Sequence, residues 1–295
     1  MKKIVLAGGT GLIGQFLEKK YRQLGYTVII ISRQAQHIKW DETDKVVEAL
    51  NGADMLVNLA GRSVNCRYND KNRKLIMNSR TETTKRLGEA ILKCDVPPKL
   101  WINSSTATIY RHAEERPMTE ETGEIGSGFS VEVAKAWEAS FFDFELPNTR
   151  QAALRISIVL GEGSGVTDIF KRLALLGAGG KQGKGNQMFS WIHIEDVYRI
   201  VRFIEEQEHL SGVFNCASPN PITNKQLMET LRKTLNVPFG IPAPAWLLEI
   251  GAVFIRTETE LILKSRWVIP DKLMKNGFNF EYDKLDGALQ QILKK

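Results

Sequence analysis

Apolar positions along the chain follow two rhythms. Residues 4–7 (Ile-Val-Leu-Ala) form a short unbroken apolar run, and residues 26–32 (Tyr-Thr-Val-Ile-Ile-Ile-Ser) form a β-branched one. Runs without polar alternation belong to strands buried on both faces of a parallel sheet. Between them, residues 11–24 carry apolar side chains at helical intervals. The same reading predicts strands over 2–7, 26–32, 55–59, 99–104 and 150–160, and helices over 11–24, 70–93 and 128–144. In the helix over 70–93, Leu75, Ile76, Leu87, Ile91 and Leu92 are expected to face inward. Pro97 and Pro98 break the chain ahead of the strand over 99–104. This alternation predicts an α/β fold of Rossmann type, a doubly wound parallel sheet with right-handed crossovers.

Beyond Gly161 the rhythm loosens. Residues 177–185 hold five glycines among nine positions and are expected to form a loop or hairpin. Strand and helix return over 191–206, a short strand follows at 213–217, and the turn at 219–221, with its two prolines, marks a boundary. Helical spacing over 224–235, 245–255 and 283–293 predicts a smaller, mainly helical C-terminal lobe. The expected division is a nucleotide-binding domain over 1–218, with 164–190 contributing to a substrate lobe, and the C-terminal lobe over 219–295.

Composition narrows the classes. The 295 residues are 43% hydrophobic and 25% charged, an ordinary globular balance without repeats or low-complexity tracts. The net charge of +6 is spread along the chain with no nucleic-acid-reading motif, so solvated faces and a phosphate-rich cofactor account for it better than DNA or RNA. The apolar run after Met1-Lys2-Lys3 is too short for a signal peptide, and the stretch 243–255 is too short to span a bilayer. Cys66, Cys94 and Cys216 form no C-x-x-C pair and read as reduced, mostly buried thiols, which implies a cytoplasmic setting.

The most specific local signal is Gly8-Gly9-Thr10-Gly11-Leu12-Ile13-Gly14, lying between the first strand and the first helix. Gly8 permits a tight turn, Gly11 lets a pyrophosphate approach the backbone, and Gly14 allows the helix to pack on the strand. Free amides and the positive helix end attract phosphate. An NAD-binding chain places an acid at the end of the second strand to hold the ribose hydroxyls. Here that strand ends in Ser32-Arg33, whose guanidinium matches a 2′-phosphate, so NADP(H) is the expected cofactor.

Asn58-Leu59-Ala60-Gly61, Ser104-Ser105, Arg155 with Val159-Leu160-Gly161, and Trp191-Ile192-His193 with Asp196 extend the pattern. Together with the glycine loop they make the chain resemble the extended short-chain dehydrogenases/reductases. More narrowly, it resembles the NAD(P)-binding, nucleoside-diphosphate-sugar-epimerase-like family with a C-terminal domain of unknown function. The narrower marks are Ser79-Arg80 with Thr83-Thr84, Ala136-Trp137-Glu138, Ser190 to His193, Pro219 to Thr223, and the ending Val268-Ile269-Pro270 with Gly277-Phe278. The resemblance implies cofactor contacts at Ser32, Arg33, Leu59, Ala60 and Arg80, with Gly61 closing the same segment. Arg80 also reads as a solvated helical arginine.

Reductases of that superfamily carry a Tyr-x-x-x-Lys pair one helical turn apart, whose lysine lowers the phenol pKa for proton exchange. None of the six tyrosines has lysine four residues later. Aligned on Glu138, the two positions hold Ser130 and Ala134; aligned on Lys135, the tyrosine position holds Val131. The remaining candidates are Ser105, at the edge of the fourth strand, and Tyr110. They are expected either to serve catalysis, Ser105 on a substrate carbonyl and Tyr110 as proton donor, or to satisfy loop backbone groups. Arg155, Lys181 and Lys184 border the expected substrate region. His193 with Glu195 and Asp196 reads as a turn entering a helix, and no metal is expected. Two functions stay open: an NADP(H)-dependent oxidoreductase or epimerase-like enzyme on a small, unidentified substrate, and a non-catalytic NADP(H)-binding regulator. A homodimer packing through the helices over 70–93 and 128–144 is an option.

Overall fold

The computed structural model describes residues 2–163, 165–246 and 264–294. Six parallel strands form the central sheet: β1 (Lys3–Ala7), β2 (Thr27–Ile31), β3 (Met55–Asn58), β4 (Leu100–Thr106), β5 (Arg150–Ile156) and β9 (Gly212–Cys216). Their order is β2-β1-β3-β4-β5-β9. Ile38 makes a single parallel bridge to Ile31 on the outer side of β2, so the chain touches the sheet there without building a further strand. The order reverses between β1 and β3, and ligands of such sheets sit in the crevice beyond the strand ends at that switch point.

The two faces bury separate cores. Helices α1 (Leu12–Gln23) and α6 (Ile194–Glu206) cover one, where Leu17, Tyr21, Val197, Ile200 and Ile204 meet Ile4, Leu6, Val57 and Phe214. Helices α2 (Thr43–Leu50), α3 (Asp70–Ile91) and α4 (Phe129–Phe142) cover the other, where Leu50, Leu87, Ile91 and Phe141 meet Val5, Leu56 and Trp101. All these strands are buried on both sides, as their unalternating sequences require.

A third core lies beyond the sheet. It joins α5 (Gly165–Leu175), α7 (Asn224–Thr234) and the last helix, α9 (Leu285–Leu293), around Trp191, Met228, Leu231 and Leu289. Two two-stranded ladders feed it: β6 (Ile158–Leu160) with β8 (Trp191–His193), and β7 (Met188–Phe189) with β10 (Ile222–Thr223). A short helix, α8 (Asp271–Lys275), packs beside β9 at the edge of the main sheet, with Leu273 in the α1–α6 core.

Several expectations change. The strand expected over 150–160 is two strands, because the chain leaves the main sheet at Ser157 and β6 pairs with β8. Helix α2 was not expected; its eight residues are too few for a clear helical period. Leu75 and Leu92 face solvent at 39% and 61% exposure; α3 buries Ile76, Thr84, Leu87, Gly88, Ala90 and Ile91, and Leu92 lies just past its end. The glycine-rich segment runs beside residues 241–243, with Ile241 N–H donating to Gly177 O and Ala243 N–H to Lys181 O. Most of the helix expected over 245–255 lies outside the described residues. Of the three free thiols only Cys216 is buried; Cys66 and Cys94 are half-buried. Asp196, at the start of α6, is fully buried and accepts the Glu281 and Tyr282 amides at 2.8 and 2.9 Å, which ties α6 to the C-terminal segment. No helix among the described residues is long and apolar enough to cross a membrane.

Candidate functional site

The turn from β1 into α1 is shaped by close approach. Gly8 has φ +75°, and a Cβ there would come within 2.6 Å of the Ala60 backbone. A Cβ on Gly14 would lie 2.3 Å from the Gly9 carbonyl, so the first turn of α1 rests on the loop itself. Gly11 differs: a Cβ there would meet no protein atom within 4 Å. Its glycine keeps an open cradle at the start of α1, where no side chain caps the helix and no acid stands in the first turn. The leading amides of Leu12, Ile13 and Gly14 have no intrahelical partner, as at any helix start. Thr10 contributes its carbonyl to the Gln15 side chain at 3.1 Å.

The far wall is the end of β3. Asn58 is fully buried; its amide donates to Thr84 Oγ1 at 3.0 Å and Asn103 Oδ1 at 2.6 Å, and its Oδ1 accepts the Ala60 amide at 3.0 Å. This side chain shapes the Leu59-Ala60-Gly61 turn. Behind the turn lies Arg80. Its guanidinium donates to the carbonyls of Ile76 and Arg62, both at 3.1 Å, and stacks 5.0 Å over Trp137. A Cβ on Gly61 would stand 3.1 Å from it. No carboxylate of the described residues pairs with Arg80, and burial pushes its pKa down to about 10. It is therefore not a freely solvated helical arginine but a half-buried cation held, among the described residues, by carbonyls and an indole. At the end of β2, Ser32 is buried and Arg33 is exposed, with no ion pair among the described residues.

A second polar group occupies the sheet edge. Ser105, Arg155 and Asn215 stand in register on β4, β5 and β9. Ser105 Oγ donates to Glu138 Oε1 at 2.6 Å, and Arg155 grips both oxygens of Glu138 at 2.8 Å. Arg155 Nη1 donates to Tyr110 Oη at 2.8 Å, and Tyr110 donates onward to Asn215 Oδ1 at 2.9 Å. Asn215 Nδ2 donates to Ile269 O at 3.0 Å, which ties the network to the C-terminal segment. Burial opposes the charge on Arg155, but Glu138 more than restores it and its pKa stands above the usual range. Burial raises the Tyr110 pKa, and Arg155 counters part of that rise. Both hydroxyls thus bond to side chains and not to loop backbone. Sequence spacing brought Ser105 and Tyr110 together but missed the Glu138–Arg155 pair that joins them; an acid on a helix and a cation 17 residues on, in the following strand, give no local signal.

At the positions where a Tyr-x-x-x-Lys pair would stand, Ala134 and Val131 are packed with Ala107, Ile109 and Tyr110. Lys181 and Lys184 are exposed, while Gln182 and Gln187 between and beside them are buried and bonded to Asn224 and to the loop backbone. His193 caps α6 by accepting the Glu195 amide at 3.1 Å, as a turn entering a helix.

Residues 4–217 match the NAD dependent epimerase/dehydratase family, and residues 243–292 match a domain of unknown function, DUF1731. Epimerase family protein SDR39U1 of Homo sapiens is 32% identical over 298 residues, covering 99% of both chains. Epimerase family protein YfhF of Bacillus subtilis is 31% identical, covering 98% of this chain and 97% of its own. The crystal structure of human SDR39U1 (isoform 2) with NADPH superposes with a TM-score of 0.90 at 30% identity, covering 99% of each chain. The nucleoside-diphosphate sugar epimerase of Corynebacterium glutamicum superposes at 0.80 and 27% identity, covering 99% of this chain and 58% of that one. The glycine loop, the switch-point crevice and the DUF1731 region all lie within these matches, and the chain belongs to the NAD dependent epimerase/dehydratase family.

Proposed function

We propose that the protein binds NADP(H) in the crevice between β1 and β3 and acts as an oxidoreductase or epimerase-like enzyme on a small carbonyl, alcohol or sugar-nucleotide substrate. The observation that carries this reading is a basic crevice without acids. An uncapped helix start, a half-buried Arg80 and an exposed Arg33, neither cation paired with a carboxylate among the described residues, stand at the strand ends where a dinucleotide's phosphates would lie. The residues fit the group: Gly8, Thr10, Gly11, Leu12, Ile13 and Gly14 line the pyrophosphate, with Arg80 behind Gly61. Leu59, Ala60 and Gly61 flank the adenosine, and Ser32 and Arg33 hold its 2′-phosphate. The NADPH in the SDR39U1 crystal structure supports the same choice. Bound there, the nicotinamide supplies hydride chemistry.

The chain's own groups supply the rest. Ser105, whose proton is held by Glu138, presents a lone pair that accepts from a substrate hydroxyl, and it bonds a substrate carbonyl, the role the sequence suggested, only if that proton leaves Glu138. Tyr110 is the proton donor, and Arg155 at 2.8 Å stabilises the phenolate left behind. The reading makes this a cytoplasmic protein with a small-molecule partner, no metal and no nucleic acid, and leaves room for a homodimer.

Calorimetric titration with NADPH, NADP⁺, NADH and NAD⁺ tests the cofactor. Micromolar or tighter binding that prefers the phosphorylated forms supports it; absence of binding to all four overturns it. A substrate screen with Tyr110→Phe as control then tests catalysis. Turnover lost with cofactor affinity kept supports the enzyme. Turnover by neither protein across a broad library favours the non-catalytic, NADP(H)-binding regulator.

A further inference from the structure

The loop beyond β2 closes on itself. Ser32 N–H donates to Ile38 O at 2.9 Å, Ile38 N–H to Ile30 O at 3.2 Å, and His37 N–H to Gln34 O at 3.1 Å. This closure sets the half-buried imidazole of His37 against Ser32, with Nδ1 2.9 Å from Oγ. Ser32 Oγ also accepts the Gln34 amide at 3.0 Å. A hydroxyl has one proton and two lone pairs. While Nδ1 is bare, the Ser32 proton points to it, and Ser32 has nothing to donate to an anion. When Nδ1 carries a proton the bond reverses: His37 donates, both lone pairs are taken, and the Ser32 proton turns outward.

We infer that His37 is a specificity-determining residue for a 2′-phosphorylated dinucleotide, its protonation turning Ser32 Oγ from acceptor to donor beside Arg33. The inference rests on the cofactor reading above. Two states place a proton on Nδ1: one neutral tautomer and the imidazolium. A phosphate selects the imidazolium, because only that state adds positive charge. No Asp, Glu, Lys or Arg of β1–β3 or α1–α3 among the described residues forms an ion pair with the imidazole. On its own loop the flanking cations Arg33 and Lys39 are exposed. Binding the 2′-phosphate therefore favours a proton on His37 Nδ1, so the contribution of this side chain is expected to be larger in acid than in alkaline solution. The phosphate itself acts in the opposite sense. Its second pKa is about 6, so a site that reads only phosphate charge binds better as pH rises. The two contributions separate by comparison with a variant lacking the imidazole.

The test is calorimetry of NADPH and NADH between pH 5.5 and 8.5, in buffers of different ionisation enthalpy, on the wild type, His37→Gln and Ser32→Ala. The ratio of wild-type to His37→Gln NADPH affinity is expected to grow by about fivefold towards the acid end, the size of an exposed charge pair. Proton uptake by the wild type should exceed that of both variants. NADH should show no difference between the proteins. In parallel, ¹⁵N NMR of the wild-type imidazole should show its midpoint rising with NADPH and unmoved by NADH, which needs no variant. Identical NADPH profiles with an unmoved imidazole overturn the role of His37 and leave the cofactor reading intact. Absence of any dinucleotide binding overturns the cofactor reading itself.

Discussion

The crevice at β1–β3 and the network at β4–β5–β9 lie along one sheet edge yet are built on opposite plans. The crevice is made of backbone: a glycine turn, a helix start, and the chain passing behind Ala60. Its cations, Arg33 and Arg80, have no carboxylate partners among the described residues. The network is made of side chains drawn from positions 105, 110, 138, 155 and 215, and its charges are neutralised internally by a bidentate pair. The difference shows which groups are committed to the fold. Charge paired inside the protein secures structure, whereas charge and amides lacking an internal partner are available to a ligand.

The strongest way to break this contrast is to remove Glu138. Glu138→Ala leaves the Arg155 guanidinium buried and unpaired, and is expected to cost about 3–5 kcal/mol in chemical denaturation. A loss near that of an ordinary surface change would show that the network is not structural. Gly14→Ala comes next: the added methyl meets the Gly9 carbonyl, and overpacking of this kind costs about 1–3 kcal/mol. Gly11→Ala is its foil, since a Cβ there meets no protein atom. Stability should stay within about 0.5 kcal/mol while NADPH affinity falls about tenfold, or about 1.4 kcal/mol. Equal stability losses at both glycines would remove the distinction between a packing glycine and a ligand glycine. Arg33→Ala sharpens the contrast further. Melting temperature without ligand should be unchanged, and NADPH but not NADH binding should weaken about tenfold. The mildest change is Tyr110→Phe, which removes the bond to Asn215 and one acceptor for Arg155. It should lower stability by about 1 kcal/mol, with NADPH affinity kept.

Legibility followed the same division. The glycine loop and Asn58 to Gly61 were readable as turns because each is a contiguous segment that shapes the backbone at a strand end. Arg80 was located on its helix, but its burial under Gly61 depends on how α3 meets the β3 turn and Trp137. The inward set on α3 was partly misread because its buried face includes small and polar residues, Thr84, Gly88 and Ala90, that an apolar pattern does not mark, while Leu92 lies past the helix end. The segment 150–160 gave little sign of its break, since only Ser157 separates two strand-like stretches that enter different sheets. His37 carried no signal at all; a lone histidine in a polar loop gains meaning only when the loop folds its Nδ1 onto Ser32.

The sequence by itself determined the alternation of strands and helices, the glycine turn between β1 and α1 and the cationic end of β2, because local periodicity and backbone chemistry are written in neighbouring residues. Only the tertiary structure decided the pairing of Glu138 with Arg155, the commitment of the Ser105 and Tyr110 hydroxyls, and the isolation of Arg80 from every described carboxylate. Those outcomes depend on distances between residues tens of positions apart, and on the desolvation that packing imposes on them.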